Sequence, residues 1–265
     1  MSLISTEIPL PLPAGLLGGL AADHQITLFL DYDGTISEIT ADLANAQPVA
    51  GATDLIARMA ARPDRFRIII ISGRQTQTLA RLLGISGDIS LVGNHGLEMI
   101  EPGGNLTTVV DPALFMPDLD RVRTWMRHNV PPESGFEIED KRFGLALHYR
   151  LADPDRALDL RLRLREFIGA QTPALAIGEG KMVIEARPRY ANKGEAVRLL
   201  LGDGEPRLPV YFGDDSTDED AFYELRNHGV TVKVCPVPCP SWAQYHVDSP
   251  RKVTAALAGM LAGAA

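Results

Sequence analysis

An apolar run ends in two carboxylates and a glycine in the sequence Leu28-Phe29-Leu30-Asp31-Tyr32-Asp33-Gly34-Thr35. The apolar run, Ile26 to Leu30, is typical of a buried parallel β-strand. Open α/β sheets bind their ligands at the carboxyl ends of such strands. The same residues could instead form a turn in which the aspartates hydrogen-bond their own backbone. The strand interpretation predicts that Asp31 and Asp33 line a binding site.

A second apolar run, Phe66 to Ile71, ends in Ser72-Gly73-Arg74 before a predicted helix. A hydroxyl and a helix N-terminus would therefore gather at a strand end, which suits a phosphate oxygen. Alternatively, Ser72 merely caps the helix. The segment alone does not decide between these two interpretations.

A third run, Pro209 to Gly213, ends in Asp214 and Asp215, and Lys193 opens a helix shortly before it. If these strands are neighbours in one parallel sheet, their polar residues converge. Two carboxylates about 4 Å apart repel by roughly 4 kcal/mol at an effective dielectric constant of 20, so such a cluster favours a divalent cation. Oxygen ligands without histidine or cysteine select a hard ion, here Mg²⁺. Lys193 and Ser72 would then bind the phosphoryl oxygens.

Composition excludes several classes of protein. With 45% hydrophobic and 23% charged residues, the chain is typical of a globular protein, and its net charge of -8 argues against a general nucleic-acid surface. The apolar segment Ile8 to Leu20 contains three prolines and lacks a preceding basic residue, unlike a secretory signal. No segment is long enough to span a membrane, and the two cysteines, Cys235 and Cys239, are too few for a disulfide scaffold. We therefore expect a cytoplasmic protein with no membrane partner.

The sequence pattern changes between about Glu101 and Asn192. Alternating runs that predict paired strands mix there with two amphipathic patterns, which predict helices at about 115–129 and 154–169. Runs typical of an α/β core precede and follow this segment. We therefore expect an α/β fold with a core formed by residues 1–103 and 190–265 and an inserted α+β domain at residues 104–189.

Four separated motifs resemble, in order and spacing, those of the haloacid dehalogenase-like phosphohydrolases. They are Asp31-Tyr32-Asp33-Gly34-Thr35, Ser72, Lys193 and Gly213-Asp214-Asp215. The resemblance implies a Rossmann-like parallel-sheet core with an inserted cap domain. It also implies that Asp31 attacks phosphorus to form an aspartyl-phosphate and that Asp33 acts as general acid and base. Mg²⁺ would lie on Asp31, the Asp33 backbone carbonyl and Asp214.

Further segments are similar to the trehalose-6-phosphate phosphatases of that superfamily. They include Ser72 to Arg74, Gly93 to Glu98, Glu139 to Lys141, His148 to Arg150, Gly180 to Pro188 and Gly213 to Asp220. In that family the cap is mobile, and a Glu-x-Lys pair and a later glutamate hold the sugar hydroxyls. The resemblance implies that Glu139, Lys141 and Glu185 grip the sugar. Without it, such charged residues are more often a solvated surface.

Other residues complete the predicted site. Arg74, His95 and Arg187 are expected to contact substrate, with His95 as a hydrogen-bonding wall residue rather than a catalytic acid. Supporting roles are expected for Gly34, Thr35, Asp215 and Asp218.

The resemblance implies a Mg²⁺-dependent phosphatase that converts trehalose 6-phosphate to trehalose and phosphate. One alternative keeps the chemistry and changes the substrate to another disaccharide or glycoside phosphate, such as a sucrose phosphate or a mannosylglycerate-type phosphate. The other is a non-catalytic metal-binding regulatory module that uses the acidic loop Asp214 to Asp220. A functional coupling to a trehalose-6-phosphate synthase stays open.

Overall fold

The structure is a computed structural model that describes residues 5–40, 45–84, 87–132, 134–180, 182–202, 204 and 206–265. The chain divides into two compact units. The larger unit contains residues 1–109 and 192–265, and the smaller unit contains residues 110–191. Lys181, which belongs to the Gly180-to-Pro188 motif, lies outside the described residues.

The described residues form strands and helices in a mixed order. The strands are β1 (Leu10–Pro11), β2 (Ile26–Leu30), β3 (Phe66–Ile71), β4 (Ile89–Gly93), β5 (Glu98–Ile100), β6 (Leu106–Thr108), β7 (Glu137–Lys141), β8 (Gly144–His148), β9 (Leu175–Gly180), β10 (Val183–Pro188), β11 (Leu208–Gly213), β12 (Val230–Val234) and β13 (Tyr245–Val247). The helices are α1 (Leu16–Asp23), α2 (Ala52–Ala60), α3 (Thr76–Leu83), α4 (Met116–Asn129), α5 (Pro154–Gln171), α6 (Lys193–Leu201), α7 (Glu219–Leu225) and α8 (Pro250–Gly263).

The larger unit is built on a nine-stranded sheet in the order β1-β13-β12-β11-β2-β3-β4-β5-β6. In this order, all neighbouring strands between β1 at one edge and β4 are parallel. The β4–β5 and β5–β6 pairs at the other edge are antiparallel. Every residue of β2 is buried, because helices cover both faces of the sheet. Leu28 and Leu30 pack with α1, α2, α3 and α8, while Phe29 on the opposite face packs with α6 and α7. The predicted α/β fold is confirmed.

The smaller unit is a four-stranded antiparallel sheet, in the order β7-β8-β10-β9, with two helices. Leu145, Leu147, Ile184 and Ala186 are fully buried on one face of this sheet. Residues of α4 and α5, such as Leu119 and Leu164, are equally buried. The unit therefore has an apolar core of its own between the sheet and the helices.

Several boundaries differ from the sequence-based expectations. Strand β6 pairs with β5 across the turn at Pro102 to Asn105, so residues 104–109 group with the larger unit. In the sequence, Pro48 follows a polar loop and favours a helix that begins there. Helix α2 instead begins at Ala52, because Gly51 before it has a φ of 84°, outside the helical region. Among the described residues, we find no helix with the length and apolar character needed to cross a membrane.

Candidate active site

Three neighbouring strand ends place polar residues along one edge of the large sheet. Strand β2 lies between β11 and β3, and Leu30 pairs with Phe212 on one side and with Ile70 on the other. Asp31, Ser72 and Asp214 follow these strands and line one cavity of about 500 Å³, together with Lys193. The structure thus brings together the strand-end residues on which the sequence interpretation depends.

Lys193 is the cation at the centre of this cluster. It is the first residue of α6, whose N-cap Asn192 accepts a hydrogen bond from the Glu195 backbone N–H at 2.7 Å. The buried Nζ donates to Asp31 Oδ1 at 2.6 Å and to Asp218 Oδ1 at 2.8 Å. Burial alone would lower the pKa of the Lys193 ammonium, but Asp218 and Asp31 outweigh it and raise that pKa above its ordinary value. Lys193 therefore stays charged.

The carboxylates around Lys193 carry more negative charge than one ammonium can neutralise. Oxygens of Asp31, Asp214 and Asp218 lie within 4.8 Å of one another. Burial raises the pKa of Asp31 well above its usual range, and burial with the charges of Asp218 and Asp215 raises the pKa of Asp214 to about 7. This set of hard oxygen donors, short of positive charge, fits a divalent cation such as Mg²⁺.

Gly34 makes room for this cluster. It has a φ of +76°, and a Cβ there would collide with the Asp214 carboxylate. Glycine is therefore required both by the left-handed backbone and by the close approach of Asp214. This is a physical reason for the supporting role expected of Gly34.

Asp33 points to a different partner from Asp31. Arg74 donates from Nε to Asp33 Oδ2 and from a terminal nitrogen to Oδ1, both at 2.6 Å. This bidentate geometry is the strongest that arginine and a carboxylate can form. The Asp33 side chain is therefore held by Arg74 rather than within the Asp31–Asp214–Asp218 group, so only its backbone carbonyl stays a proposed metal ligand.

Ser72 and His95 also line the cavity. The Ser72 hydroxyl accepts a hydrogen bond from the Arg74 backbone N–H at 3.2 Å, and the N-cap position of α3 is occupied by Gln75. Ser72 is therefore not the helix cap. A Cβ at Gly73 would meet the His95 ring at 2.6 Å, so glycine permits the His95 side chain to lie over this turn. His95 itself has a φ of 57°, an uncommon backbone conformation for histidine.

The residues predicted to bind the sugar lie on the smaller unit, on the sheet face opposite its helices. The strand register aligns Glu139, Ala146, Glu185 and Gly178 in one row across four strands. Ala146 is the residue between the two carboxylates, and Gly178 lies on the far side of Glu185, so the residues beside Glu185 in this row are both small. Because side chains alternate along a strand, Lys141 and Arg187 project from the same face as Glu139 and Glu185.

One ion pair and one histidine–carboxylate contact organise this polar face. Lys141 Nζ donates to Glu185 Oε1 at 2.9 Å, and His148 Nε2 lies 2.9 Å from Glu139 Oε2. All four side chains are between 28% and 48% exposed, so water or a polar ligand reaches them. We refer to Glu139, Lys141, His148, Glu185 and Arg187 as the polar face of the small sheet. Such a surface can bind hydroxyl groups through paired donors and acceptors.

Comparison with known proteins identifies the family. A family model described as Trehalose-phosphatase matches residues 29–252. The chain belongs to the trehalose-phosphatase family. A trehalose-phosphate phosphatase of Mycobacterium tuberculosis (strain H37Rv) is 34% identical over 259 residues, which cover 95% of this chain and 62% of that relative. The chain therefore spans less than two thirds of that relative's length.

Two solved structures of trehalose-6-phosphate phosphatases have the same fold. The Aspergillus fumigatus structure in crystal form 3 has a TM-score of 0.74 and 27% identity, with 96% of this chain and 98% of that chain covered. The C-terminal domain from C. albicans has a TM-score of 0.73 and 28% identity, with 98% and 99% covered. The similarity therefore extends over both units of this trehalose-phosphatase family member.

Sequence reasoning missed the roles of three residues in this family member. Asp218 was expected only to support the site, yet it bonds Lys193 and belongs to the acidic group. His148 belongs to a quoted motif but had no assigned role, because its pairing with Glu139 depends on strand register. Tyr211 lies within an apolar strand pattern and reads as a core residue, although its hydroxyl reaches Asp218. No local sequence signal marks that hydroxyl.

Proposed function

We propose that this chain hydrolyses trehalose 6-phosphate to trehalose and inorganic phosphate, with Asp31 as the nucleophile. The observation that carries the proposal is the buried contact between Lys193 and Asp31, at 2.6 Å, within an acidic group that lines an open cavity. Membership of the trehalose-phosphatase family, shown by the match to residues 29–252, supports the same substrate.

The cluster suits attack on phosphorus. Lys193 fixes the orientation of the Asp31 carboxylate and supplies positive charge where the phosphoryl oxygens of the substrate gather charge. Ser72, at the end of β3, lines the same cavity, and its hydroxyl would bond another phosphoryl oxygen. Formation of an aspartyl-phosphate divides one difficult displacement into two easier ones.

Asp33 is the proposed general acid and base. It would donate a proton to the departing sugar oxygen and later accept one from the water that hydrolyses the intermediate. In this structure Arg74 donates to both oxygens of the Asp33 carboxylate. Asp33 would therefore have to release one of these two hydrogen bonds and take up a proton before it acts as the acid. His95, on the wall of the same cavity, is proposed to hydrogen-bond the substrate.

Asp31, Asp214 and the Asp33 backbone carbonyl are the proposed Mg²⁺ ligands. When bound, the ion would neutralise the carboxylates and withdraw charge from the phosphoryl group. The buried acidic group and the raised pKa values of Asp31 and Asp214 support a divalent cation at this edge of the sheet.

Sugar recognition is proposed for the polar face of the small sheet. Glu139, Lys141 and Glu185 offer acceptors and a donor to hydroxyl groups, and Arg187 extends the same face. On this proposal residues 110–191 form the cap that selects the substrate. A cytoplasmic location and a functional coupling to a trehalose-6-phosphate synthase stay predictions.

Phosphate release from trehalose 6-phosphate, measured with Mg²⁺ and again with EDTA, tests the proposal. We expect turnover that EDTA abolishes and that excess Mg²⁺ restores. The same assay is run with sucrose 6-phosphate and a mannosylglycerate-type phosphate at equal concentrations. If one of these were hydrolysed faster than trehalose 6-phosphate, the proposed chemistry would stand but the proposed substrate would be wrong. The absence of turnover with every sugar phosphate, together with Mg²⁺ binding, would favour a regulatory metal-binding module instead.

A further inference from the structure

Tyr211 carries a polar group into the deepest part of the large unit. It is the fourth residue of β11 and is fully buried, with its ring stacked on Phe29 at 6.0 Å and edge-on to Phe222 at 5.6 Å. A phenylalanine would fill the same space with the same ring contacts. The hydroxyl, however, donates to Asp218 Oδ1 at 2.7 Å, so the difference between tyrosine and phenylalanine here is one hydrogen bond to a site carboxylate.

Asp218 has its full complement of donors in this arrangement. Its Oδ1 accepts from Lys193 Nζ at 2.8 Å and from the Tyr211 hydroxyl at 2.7 Å. Its Oδ2 accepts from the backbone N–H groups of Asp214 at 3.1 Å and Asp215 at 3.0 Å. A carboxylate offers about four acceptor positions on its two oxygens, so these donors occupy all of them.

The proximity of Asp218 to Asp31 and Asp214 would also suit a metal ligand, because oxygens of the three residues lie within 4.8 Å of one another. A ligand, however, needs a lone pair directed at the ion. With four donors in place Asp218 has none to offer, and the Tyr211 hydroxyl is the donor that fills the last position on Oδ1. Asp218 therefore orients Lys193 and the backbone at Asp214 instead of coordinating a cation.

We propose that Tyr211 is a positioning residue. Its hydroxyl holds the Asp218 carboxylate in the orientation that accepts from Lys193 and from the backbone N–H of Asp214, and so keeps Asp218 out of the metal coordination shell. This inference deepens the proposed function. It rests on that function in the experiments that measure kcat and KM, but not in the experiment that measures Mg²⁺ binding. Tyr211 touches neither Asp31 nor substrate directly in this scheme. Its effect passes through Asp218 to the ammonium that holds the nucleophile.

The first test is a double-mutant cycle of Tyr211→Phe and Asp218→Asn, with kcat and KM measured for trehalose 6-phosphate. We expect Tyr211→Phe to lower kcat by about tenfold with KM changed by less than about twofold, since the interaction orients reacting groups rather than the sugar. We expect the double variant to lose no more than Asp218→Asn alone, because Tyr211 acts through Asp218. Multiplicative losses in the double variant would overturn the proposal.

Phe222→Leu is the matched control for packing. It removes the edge-on ring contact with Tyr211 but leaves the hydroxyl bonded to Asp218. We expect Phe222→Leu to lower Tm while kcat stays within about twofold of the wild type. If both variants lost kcat in proportion to their loss of Tm, the role of Tyr211 would be packing alone.

Calorimetric Mg²⁺ titration provides a readout that does not depend on turnover or on a folded Tyr211→Phe variant. We expect Asp214→Asn to weaken Mg²⁺ binding by at least about thirtyfold, whereas Asp218→Asn changes it by less than about threefold. Equal losses in the two variants would make Asp218 a ligand and overturn the inference. A wild-type chain that binds Mg²⁺ but does not hydrolyse trehalose 6-phosphate would refute the proposed function and leave this comparison valid.

Discussion

Two regions of the molecule use the same kinds of side chains in opposite surroundings. One is the buried cluster of the large unit, formed by Lys193 with Asp31, Asp214 and Asp218. The other is the polar face of the small sheet. Lys193 and Asp31 are 3% and 6% exposed, whereas Lys141 and Glu185 are 34% and 28% exposed. Both lysines donate to a carboxylate at close to the same distance, 2.6 Å and 2.9 Å. The two regions therefore differ in hydration rather than in the chemical groups that they contain.

This difference in hydration predicts a division of labour. In the buried cluster the pKa values of Asp31 and Asp214 are raised, first by burial and then by the neighbouring carboxylates, so the charges there are strongly coupled. Such coupling suits covalent chemistry, which needs charges preorganised in a dry site. On the exposed face the Lys141–Glu185 ion pair is weak and exchanges readily with hydroxyl groups of a ligand. We therefore propose that the cluster carries out phosphoryl transfer and that the polar face selects the substrate.

Replacement of the proposed nucleophile should have the largest effect. We expect Asp31→Asn to lower kcat by at least about a thousandfold, or about 4 kcal/mol in activation free energy, because an amide is a poor nucleophile. Tm should stay within a few degrees, since the variant removes one charge from a crowded acidic group. The control is Asp54→Asn at an exposed carboxylate paired with Arg58. Substantial turnover by Asp31→Asn would remove Asp31 from its proposed role.

The two lysines provide a direct comparison of stability. We expect Lys193→Met to lower the free energy of unfolding by about 3 to 5 kcal/mol, because Asp31 and Asp218 would then be buried without their shared cation. Lys141→Met should cost less than about 1 kcal/mol, as is usual for a partly exposed pair. Urea unfolding in EDTA measures both. Similar losses for the two variants would contradict the contrast in hydration.

A smaller effect is expected in the pH dependence of the metal-free protein. The pKa of Asp214 is raised to about 7 by burial and by Asp218 and Asp215, and an unfolded aspartate has a pKa of about 3.9. Between these values the folded state retains a proton that the unfolded state releases, so stability falls as the pH rises.

Thermal unfolding in EDTA from pH 4.5 to 7.5 measures this effect against the Asp214→Asn variant. We expect the Tm of the wild type to decline relative to the variant as the pH rises towards about 7, because the variant cannot ionise at this position. Above that pH, Mg²⁺ should raise the Tm of the wild type more than that of the variant. If the Tm of the wild type and that of Asp214→Asn changed with pH in parallel, Asp214 would not ionise within this pH range.

The positions of the buried strands could be predicted from the sequence, because a long apolar run identifies the strand. The polar residues that follow the run identify the end of the strand that faces the site. The runs at Ile26–Leu30 and Phe66–Ile71 became strands at those positions. Their parallel pairing then brings Asp31, Ser72 and Asp214 to one cavity without any further information. The β6 edge strand was not predicted as part of this sheet. It has only three residues, which is too short for an alternation of apolar and polar side chains to be recognised.

The partners of individual side chains could not be predicted, because they depend on distances between segments far apart in sequence. The contact of Arg74 with substrate stays a prediction, whereas its bond to Asp33, 41 residues away in sequence, was not predicted. The pairing of His148 with Glu139 requires the register of β7 against β8. Burial of the Tyr211 ring was predictable from its apolar neighbours, but the bond from its hydroxyl to Asp218 was not.

The most direct test of the division between the two regions is the effect of Glu185→Ala on two substrates. Trehalose 6-phosphate carries the sugar that the polar face is proposed to bind, whereas p-nitrophenyl phosphate carries a small aryl group in place of the sugar. Glu179→Ala is the matched control, since Glu179 lies on the neighbouring strand, pairs with Arg161 and is displaced by one residue from the Glu185 row, which puts it on the other face.

We expect Glu185→Ala to lower kcat/KM for trehalose 6-phosphate by about ten- to a hundredfold, the value of a charged hydrogen bond. The same variant should hydrolyse p-nitrophenyl phosphate within about twofold of the wild type, and Glu179→Ala should leave both substrates unchanged. Equal losses on both substrates in Glu185→Ala would contradict the account, because the polar face would then serve the chemistry or the fold rather than the sugar.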